Sequence, residues 1–384
     1  MNVIYCDNAA TSFPKPRFVP EAMIDFMSRI GASPGRSTHT LGLRASRAIF
    51  DVREKISAFF NVRDSSRMAF CGNATEAINT AILGVLSPHD RVVVSALEHN
   101  SVMRPLGFLA KDRNITVTVA PCDEFGMTDP ERFERTLKSG VKLAVVNHGS
   151  NVSGSVAPVE VLGKIARSHG AVFMVDSAQT AGIIPIDVEA MNIDVLAFSG
   201  HKSLYGPMGV GGLYVREGIS VRPLKYGGTG SNSDSDDQPE FSPDIYESGT
   251  LNAPGIAGLG AGLDFVLSEG FERIQSHGFV LAQRFCDKVR VIPGITVIGP
   301  RDRKRMLPTV SLTVRGIDHG LVARRLSDDY GICARMGLHC APNAHRALGT
   351  FPQGSIRFSF GFFNNEEDVD VIVGALKTIL TTSP

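Results

Sequence analysis

The run Asp194-Val-Leu-Ala-Phe-Ser-Gly-His-Lys202 carries an apolar, strand-like stretch abruptly into a serine, a glycine, a histidine and a lysine. A lysine at the end of a buried strand is costly unless it is paired, neutralised or covalently used. The chemistry that needs such a lysine includes Schiff-base formation with a carbonyl cofactor, above all pyridoxal phosphate. Taken alone, Lys202 has an ordinary alternative, a place on a solvated loop. Asp176 closes another apolar run, Ala171–Asp176. An acid there needs a cationic partner, and a protonated pyridine nitrogen is one. A helix cap is its alternative. Gln179, three residues on, has the reach to hydrogen-bond the phenolic oxygen of such a cofactor. Gly72, Asn73 and Thr75 mark a strand-to-helix junction whose free amides and hydroxyl suit a phosphate, although any capped helix shows similar residues. His99 follows one further apolar strand and Asn151 follows another. An imidazole at such a place can stack on a cofactor and move protons, or simply be structural.

The elements that must present these residues alternate in type. Apolar runs at Met68–Cys71, Arg91–Leu97, Ile115–Pro121, Lys142–Asn147, Ala171–Asp176, Val195–Ser199 and Gly211–Val215 read as strands. Between them Thr75–Leu86, Pro130–Ser139 and Val159–His169 read as helices, the last two closed by Gly140 and Gly170. This alternation predicts an α/β fold with a large, mainly parallel sheet covered on both faces, and ligands in such sheets bind beyond the carboxyl ends of the strands. From about Pro254 the texture changes. Helices at Gly258–Glu269, His277–Val291 and Glu366–Leu380 with strands at Thr309–Val314 and Ser355–Phe360 predict a smaller α+β lobe. The expected division is an N-terminal segment, 1–15, packing with the small lobe; a large domain, 16–253; and a small C-terminal domain, 254–384. Residues 231–237 read as a polar, mobile loop.

Composition narrows the classes. Lysine plus arginine equals aspartate plus glutamate at 39 each, so bulk charge gives no basis for binding nucleic acid or an anionic membrane. Neither a signal peptide nor an apolar run of membrane-spanning length is visible. The six cysteines, at 6, 71, 122, 286, 333 and 340, show no CxxC spacing and read as cytosolic thiols, mostly buried, with no metal site expected. No GxGxxG or Walker A pattern is present, which counts against nicotinamide and ATP chemistry.

Together these segments resemble class V, fold type I pyridoxal-phosphate enzymes, most of all the cysteine desulfurase and selenocysteine lyase branch. The matching segments are Asp7-Asn-Ala-Ala-Thr11, Ala74-Thr-Glu76, Glu98-His-Asn-Ser101, His148–Gly154, Asp176-Ser-Ala-Gln179, Ser199-Gly-His-Lys202, Glu247-Ser-Gly-Thr250, Arg335–Ala341 and Arg357. The resemblance implies pyridoxal 5'-phosphate bound as a Schiff base at Lys202, with Asp176 on the pyridine nitrogen, Gln179 on the ring oxygen, His99 stacked on the ring and Asn151 touching it. It implies a phosphate held by Ala74, Thr75, Ser199 and His201, and by Thr250 from a second subunit of a homodimer. Arg357 would clamp the substrate carboxylate, a task suited to a guanidinium fork. Cys340 would be the sulfur-accepting nucleophile, its thiolate helped by Arg335 and His339.

The compact Gly337–Pro342 stretch is similar to the Suf-type group. Two departures stand out, Tyr226-Gly-Gly-Thr-Gly-Ser231 and the apolar Met336 and Leu338. The implied reaction converts L-cysteine to L-alanine with sulfur carried on Cys340 to a thiol or protein acceptor, in the cytoplasm, as in sulfur mobilisation for iron–sulfur cluster assembly. L-selenocysteine is the alternative substrate. A class V aminotransferase, a non-catalytic scaffold and a dehydrogenase are the competing readings.

Overall fold

The computed structural model describes residues 3–35, 38–301 and 306–382. The outer ends of the expected terminal segments, and 302–305 within the expected small domain, lie outside that set. The chain opens with β1 (Ile4–Tyr5), α1 (Phe18–Asp25) and α2 (Thr40–Phe59). It then alternates β2 (Met68–Cys71), α3 (Ala74–Val85), β3 (Arg91–Ser95), α4 (Asn100–Asp112), β4 (Thr116–Ala120), α5 (Pro130–Thr136), β5 (Val141–Asn147), α6 (Val159–Ser168), β6 (Val172–Asp176), β7 (Val195–Ser199) and β8 (Gly211–Val215).

These seven strands form one sheet in the order β2-β8-β7-β6-β5-β3-β4, with β8 alone antiparallel to its neighbours. The central strands are apolar throughout because both faces are covered. Val92, Val94, Leu143, Val145, Met174, Ala197 and Leu213 pack under α3 and α4. The alternate residues Val93, Ala144, Val146, Phe173, Val175, Leu196 and Phe198 pack with residues of α2, α5, α6 and α7 (Ala253–Glu269). The carboxyl ends of β2, β3, β5, β6 and β7 therefore share one edge.

The remaining elements are α8 (Phe271–Arg290), β9 (Ile295–Ile298), β10 (Thr309–Val314), α9 (His319–Tyr330), β11 (Ile332–Cys333), β12 (Arg335–Gly337), α10 (Pro342–Ala347), β13 (Ser355–Ser359) and α11 (Glu366–Thr382). An antiparallel sheet, β12-β13-β10-β9, packs with α8, α9 and α11 around Phe285, Phe358 and Leu376. β1 pairs in parallel with β11, which brings residues 4–5 beside 332–333. Asp7 then bridges to Ser359.

Two helices differ from expectation in an instructive way. α7 begins at Ala253, capped by Asn252, rather than at Gly258. Its glycines look like helix breakers but are contact points, since a Cβ on Gly260 would meet Val52 at 2.7 Å and one on Gly262 would meet the Leu204 carbonyl at 2.4 Å. α5 stops at Thr136, short of Ser139, because Leu137 turns into the core and the chain reverses at Gly140, φ +82°. Among the described residues no helix is long and apolar enough to cross a membrane.

Candidate active site

A cavity of about 120 Å³ opens at the shared strand edge, lined by Ala74, Thr75, His99, Asn151, Asp176, Gln179, Ser199, His201 and Lys202, with Asn73, Ile78, Ser101, Asn147 and Ala178. Ten of the residues singled out in the sequence, Asn73 among them, thus converge on one space. The sheet register explains part of this, since Asn147 is the Cα partner of Asp176 and Ser199 that of Gly211. The β7–α3 contact needs glycine in β8, because a Cβ on Gly211 would meet Phe198 O at 2.6 Å and backbone atoms of Asn73 at 2.8 and 2.9 Å.

Lys202 follows β7 in a turn held by the N-terminal segment. Its carbonyl accepts from Ser12 Oγ at 2.8 Å, and the His201 carbonyl accepts from Lys15 Nζ at 2.6 Å. Burial lowers the Lys202 pKa to about 8, against the opposing pull of Asp176. Burial raises the Asp176 pKa in turn, opposed by the Ala178 N–H at 2.9 Å and by Lys202. For both groups desolvation outweighs the mutual attraction, so each is held toward its neutral form. An amine in that state is a far better nucleophile than an exposed lysine.

His99 caps α4, and its Nδ1 accepts from Ser101 N at 3.0 Å and lies 2.7 Å from Ser101 Oγ. That hydroxyl is 2.8 Å from Thr75 Oγ1, so one polar chain ties the start of α4 to the start of α3. Burial, then Lys202 and nearby arginines, lower the His99 pKa to about 4, and the ring is neutral. Gln179 Nε2 donates to Ala9 O at 2.9 Å.

Cys340 is exposed and sits in a tight turn in which His339 (φ +48°) and Cys340 (φ +57°) are both left-handed. Two successive side chains in that region are strained and require firm anchoring. Cys340 O accepts from Asn100 N at 2.8 Å and His339 O from Asn151 Nδ2 at 2.7 Å. Both anchors belong to segments at the cavity, and Cys340 acts electrostatically on Lys202 and Arg357.

His339 departs from its expected role. Burial and the charge of Arg357 lower its pKa to about 2, and its Nε2 lies 3.0 Å from Ser355 Oγ. A neutral, buried imidazole brings no positive charge to a thiolate. Arg357 is also less free than expected. It is buried on β13, with Nη2 paired to Asp7 Oδ1 at 2.6 Å and Nη1 on Asn151 O at 3.3 Å. Thr250 does not line the cavity within one chain; it borders a separate cleft with Phe50, Gly228 and Gly249.

The family model described as Aminotransferase class-V matches residues 4–372. The chain belongs to that family. It is 35% identical over 382 residues to a probable cysteine desulfurase of Methanothermobacter thermautotrophicus, covering 98% of this chain and 94% of that one. An apo cysteine desulfurase structure from Thermococcus onnurineus superposes with a TM-score of 0.92 at 33% identity, covering 99% of this chain and 95% of that one. The Escherichia coli cysteine desulfurase CsdA, in an S-sulfonic acid form, gives 0.89 at 29% identity, again covering 99% and 95%.

Enzymes of the class-V aminotransferase family in general use pyridoxal phosphate, and the residues here fit it. The amides of Ala74 and Thr75 at the start of α3 have no acceptor among the described residues, while Asn73 caps Glu76 N instead. Among the described residues His201 Nδ1 is likewise buried without a partner. Two free helix-start amides beside an unpaired imidazole nitrogen suit a phosphate. Sequence reading missed Ser101 and Asn147 on the wall and Asp7 at Arg357. Only the position of Ser101, two residues after a helix-capping histidine, signals its role.

Proposed function

We propose that this protein is a pyridoxal-phosphate-dependent cysteine desulfurase that converts L-cysteine to L-alanine. The observation that carries the reading is the anchoring of the Cys340 turn, through Asn100 and Asn151, to the cavity that contains Lys202 and Asp176. Bound at Lys202, the cofactor supplies an electron sink for charge developing at the substrate α-carbon. Asp176 would hold the pyridine nitrogen, Gln179 the ring oxygen, and the neutral His99 ring and Asn151 the face of the cofactor. Ala74, Thr75, Ser199 and His201 would hold the phosphate. Lys202 Nζ, with its lowered pKa, takes and returns the α-proton. Arg357 receives the substrate carboxylate.

Cys340 Sγ takes the sulfur atom: one cysteine and one enzyme thiol become one alanine and one enzyme persulfide, with no external oxidant. A thiol or protein acceptor then removes the sulfur. Thr250 completes the phosphate site of the other subunit in a homodimer, which the exposed Leu41, Leu43 and Phe50 on α2 support as an apolar face. The free state of all six cysteines supports a cytoplasmic setting.

The test is product analysis with the holoenzyme, cysteine and a reductant. Alanine and sulfide in equal amounts are expected, whereas pyruvate and ammonia would overturn the reading. Cys340→Ala should slow alanine formation from cysteine by on the order of 100-fold or more, as loss of a covalent nucleophile does. If it turns over cysteine normally, the persulfide route is wrong. Lys202→Ala should abolish the visible absorbance of the bound cofactor.

A further inference from the structure

Glu98 stands immediately before His99, where β3 gives way to α4, and it is 0% exposed. An ionised carboxylate at such a site is expensive unless a cation faces it. Among the described residues the one charged group acting on it is another acid, Asp176 at the end of β6; its hydrogen-bond partners, Ser95 and Asn147, are neutral. Its hydrogen bonds converge on one oxygen. Oε1 accepts from the Ser95 hydroxyl at 2.6 Å and from the Asn147 backbone N–H at 2.7 Å. Among the described residues Oε2 is buried with no partner, and so is Asn147 Oδ1, on the residue paired in register with Asp176. Unsatisfied acceptor atoms in one buried region are the signature of a proton not yet assigned.

We propose that Glu98 is a protonated acid, a positioning residue that carries its proton on Oε2 and so adds no second negative charge beside Asp176. Two acids sharing a buried region do not both ionise, and their surroundings decide which one keeps the proton. Burial raises the pKa of Asp176 too, but there the Ala178 N–H and Lys202 oppose the rise. Glu98 has no cation, and burial with the Asp176 charge moves its pKa from an ordinary 4.5 up to about 8. The benefit to the cofactor rests on the pyridoxal-phosphate reading above. The protonation itself is a property of the protein without cofactor.

The experiment compares wild-type and Glu98→Gln apoprotein by chemical denaturation across pH. Folded Glu98 keeps its proton up to about pH 8 while the unfolded chain loses it near 4.5, so this residue makes stability fall as pH rises through that window. Glutamine keeps the neutral shape without the titration. The difference between the two profiles should therefore slope by about one proton between pH 5 and 7.5, the wild type losing ground as pH rises. Parallel profiles overturn the proposal. Should Glu98→Gln fail to fold, the infrared spectrum decides. A protonated-carboxyl band at pH 7 that survives in Asp176→Asn supports it, and a band lost in that variant, or absent from the wild type, overturns it. With cofactor added, Glu98→Gln should retain pyridoxal phosphate within a few-fold of wild type. A wild type that takes up no pyridoxal phosphate would sink the functional reading instead, a failure separable from that of the apoprotein profiles.

Discussion

Single residues here are defined as much by their partners as by their type. Arg357 is buried and committed to Asp7, an acid some 350 positions away in sequence. A substrate carboxylate at Arg357 must share or displace that partner. Asp7→Asn should therefore destabilise the protein by about 1.5–3 kcal/mol, the range for losing a charged hydrogen-bond partner of a buried group. The same change should lower KM for cysteine several-fold with little change in kcat, because the competing negative charge is gone. Initial rates and urea denaturation measure both, and a rise in KM would show that Asp7 orients the guanidinium rather than competing for it. Lys15 is a quieter case. Burial lowers its pKa to about 8, and its ammonium holds the carbonyl beside Lys202.

At the scale of elements, the proposed phosphate cradle depends on how closely the start of α3 approaches β7 across β8. Gly211 occupies that gap, and the atoms a Cβ would meet are backbone, which cannot swing aside. Gly211→Ala should therefore cost about 1–3 kcal/mol of stability, as overpacking does. It should also weaken pyridoxal-phosphate retention in equilibrium dialysis by on the order of tenfold. Gly107→Ala on the exposed face of α4 is the control, since a Cβ there meets nothing within 4 Å. It should stabilise the protein by about 0.5–1 kcal/mol and leave cofactor retention unchanged. The strained turn at His339 and Cys340 follows the same logic, as hydrogen bonds from two other elements hold what the local sequence would not choose.

For the whole molecule, five histidines with lowered pKa set the acid limit. Burial lowers the pKa of His99, His148, His201 and His345 to about 4 and that of His339, aided by Arg357, to about 2. The unfolded chain takes up these protons near 6.5 while the folded chain does not, so stability is lost as pH falls through that interval. Each histidine contributes about 1.4 kcal/mol per pH unit between its unfolded and folded values. Denaturant midpoints should fall steeply from pH 6.5 to 4.5, and His148→Gln should flatten that slope by about one proton. An unchanged slope would place the acid sensitivity elsewhere.

The βα alternation, the strand ends and the lysine at the close of β7 were all legible in the chain, because apolar runs buried on both faces leave a local pattern. The boundaries of β2, β7, β8 and β10 coincide with those read from sequence. α1, α2, α4, α9 and α10 were not read, and α7 and α8 were shortened, since their glycines, prolines and mixed polarity answer to neighbours rather than to period. The sequence also named most of the cavity wall. It determined which side chains stand at strand ends, and with them the expectation of pyridoxal-phosphate chemistry. Tertiary structure alone decided which of them meet. Contacts between Asp7 and Arg357, Cys340 and Asn100, and Glu98 and Asn147 join residues from separate elements, and no local pattern encodes such pairs. It also decided protonation, because the desolvation that neutralises His339 and raises Glu98 exists only once the chain has closed over them.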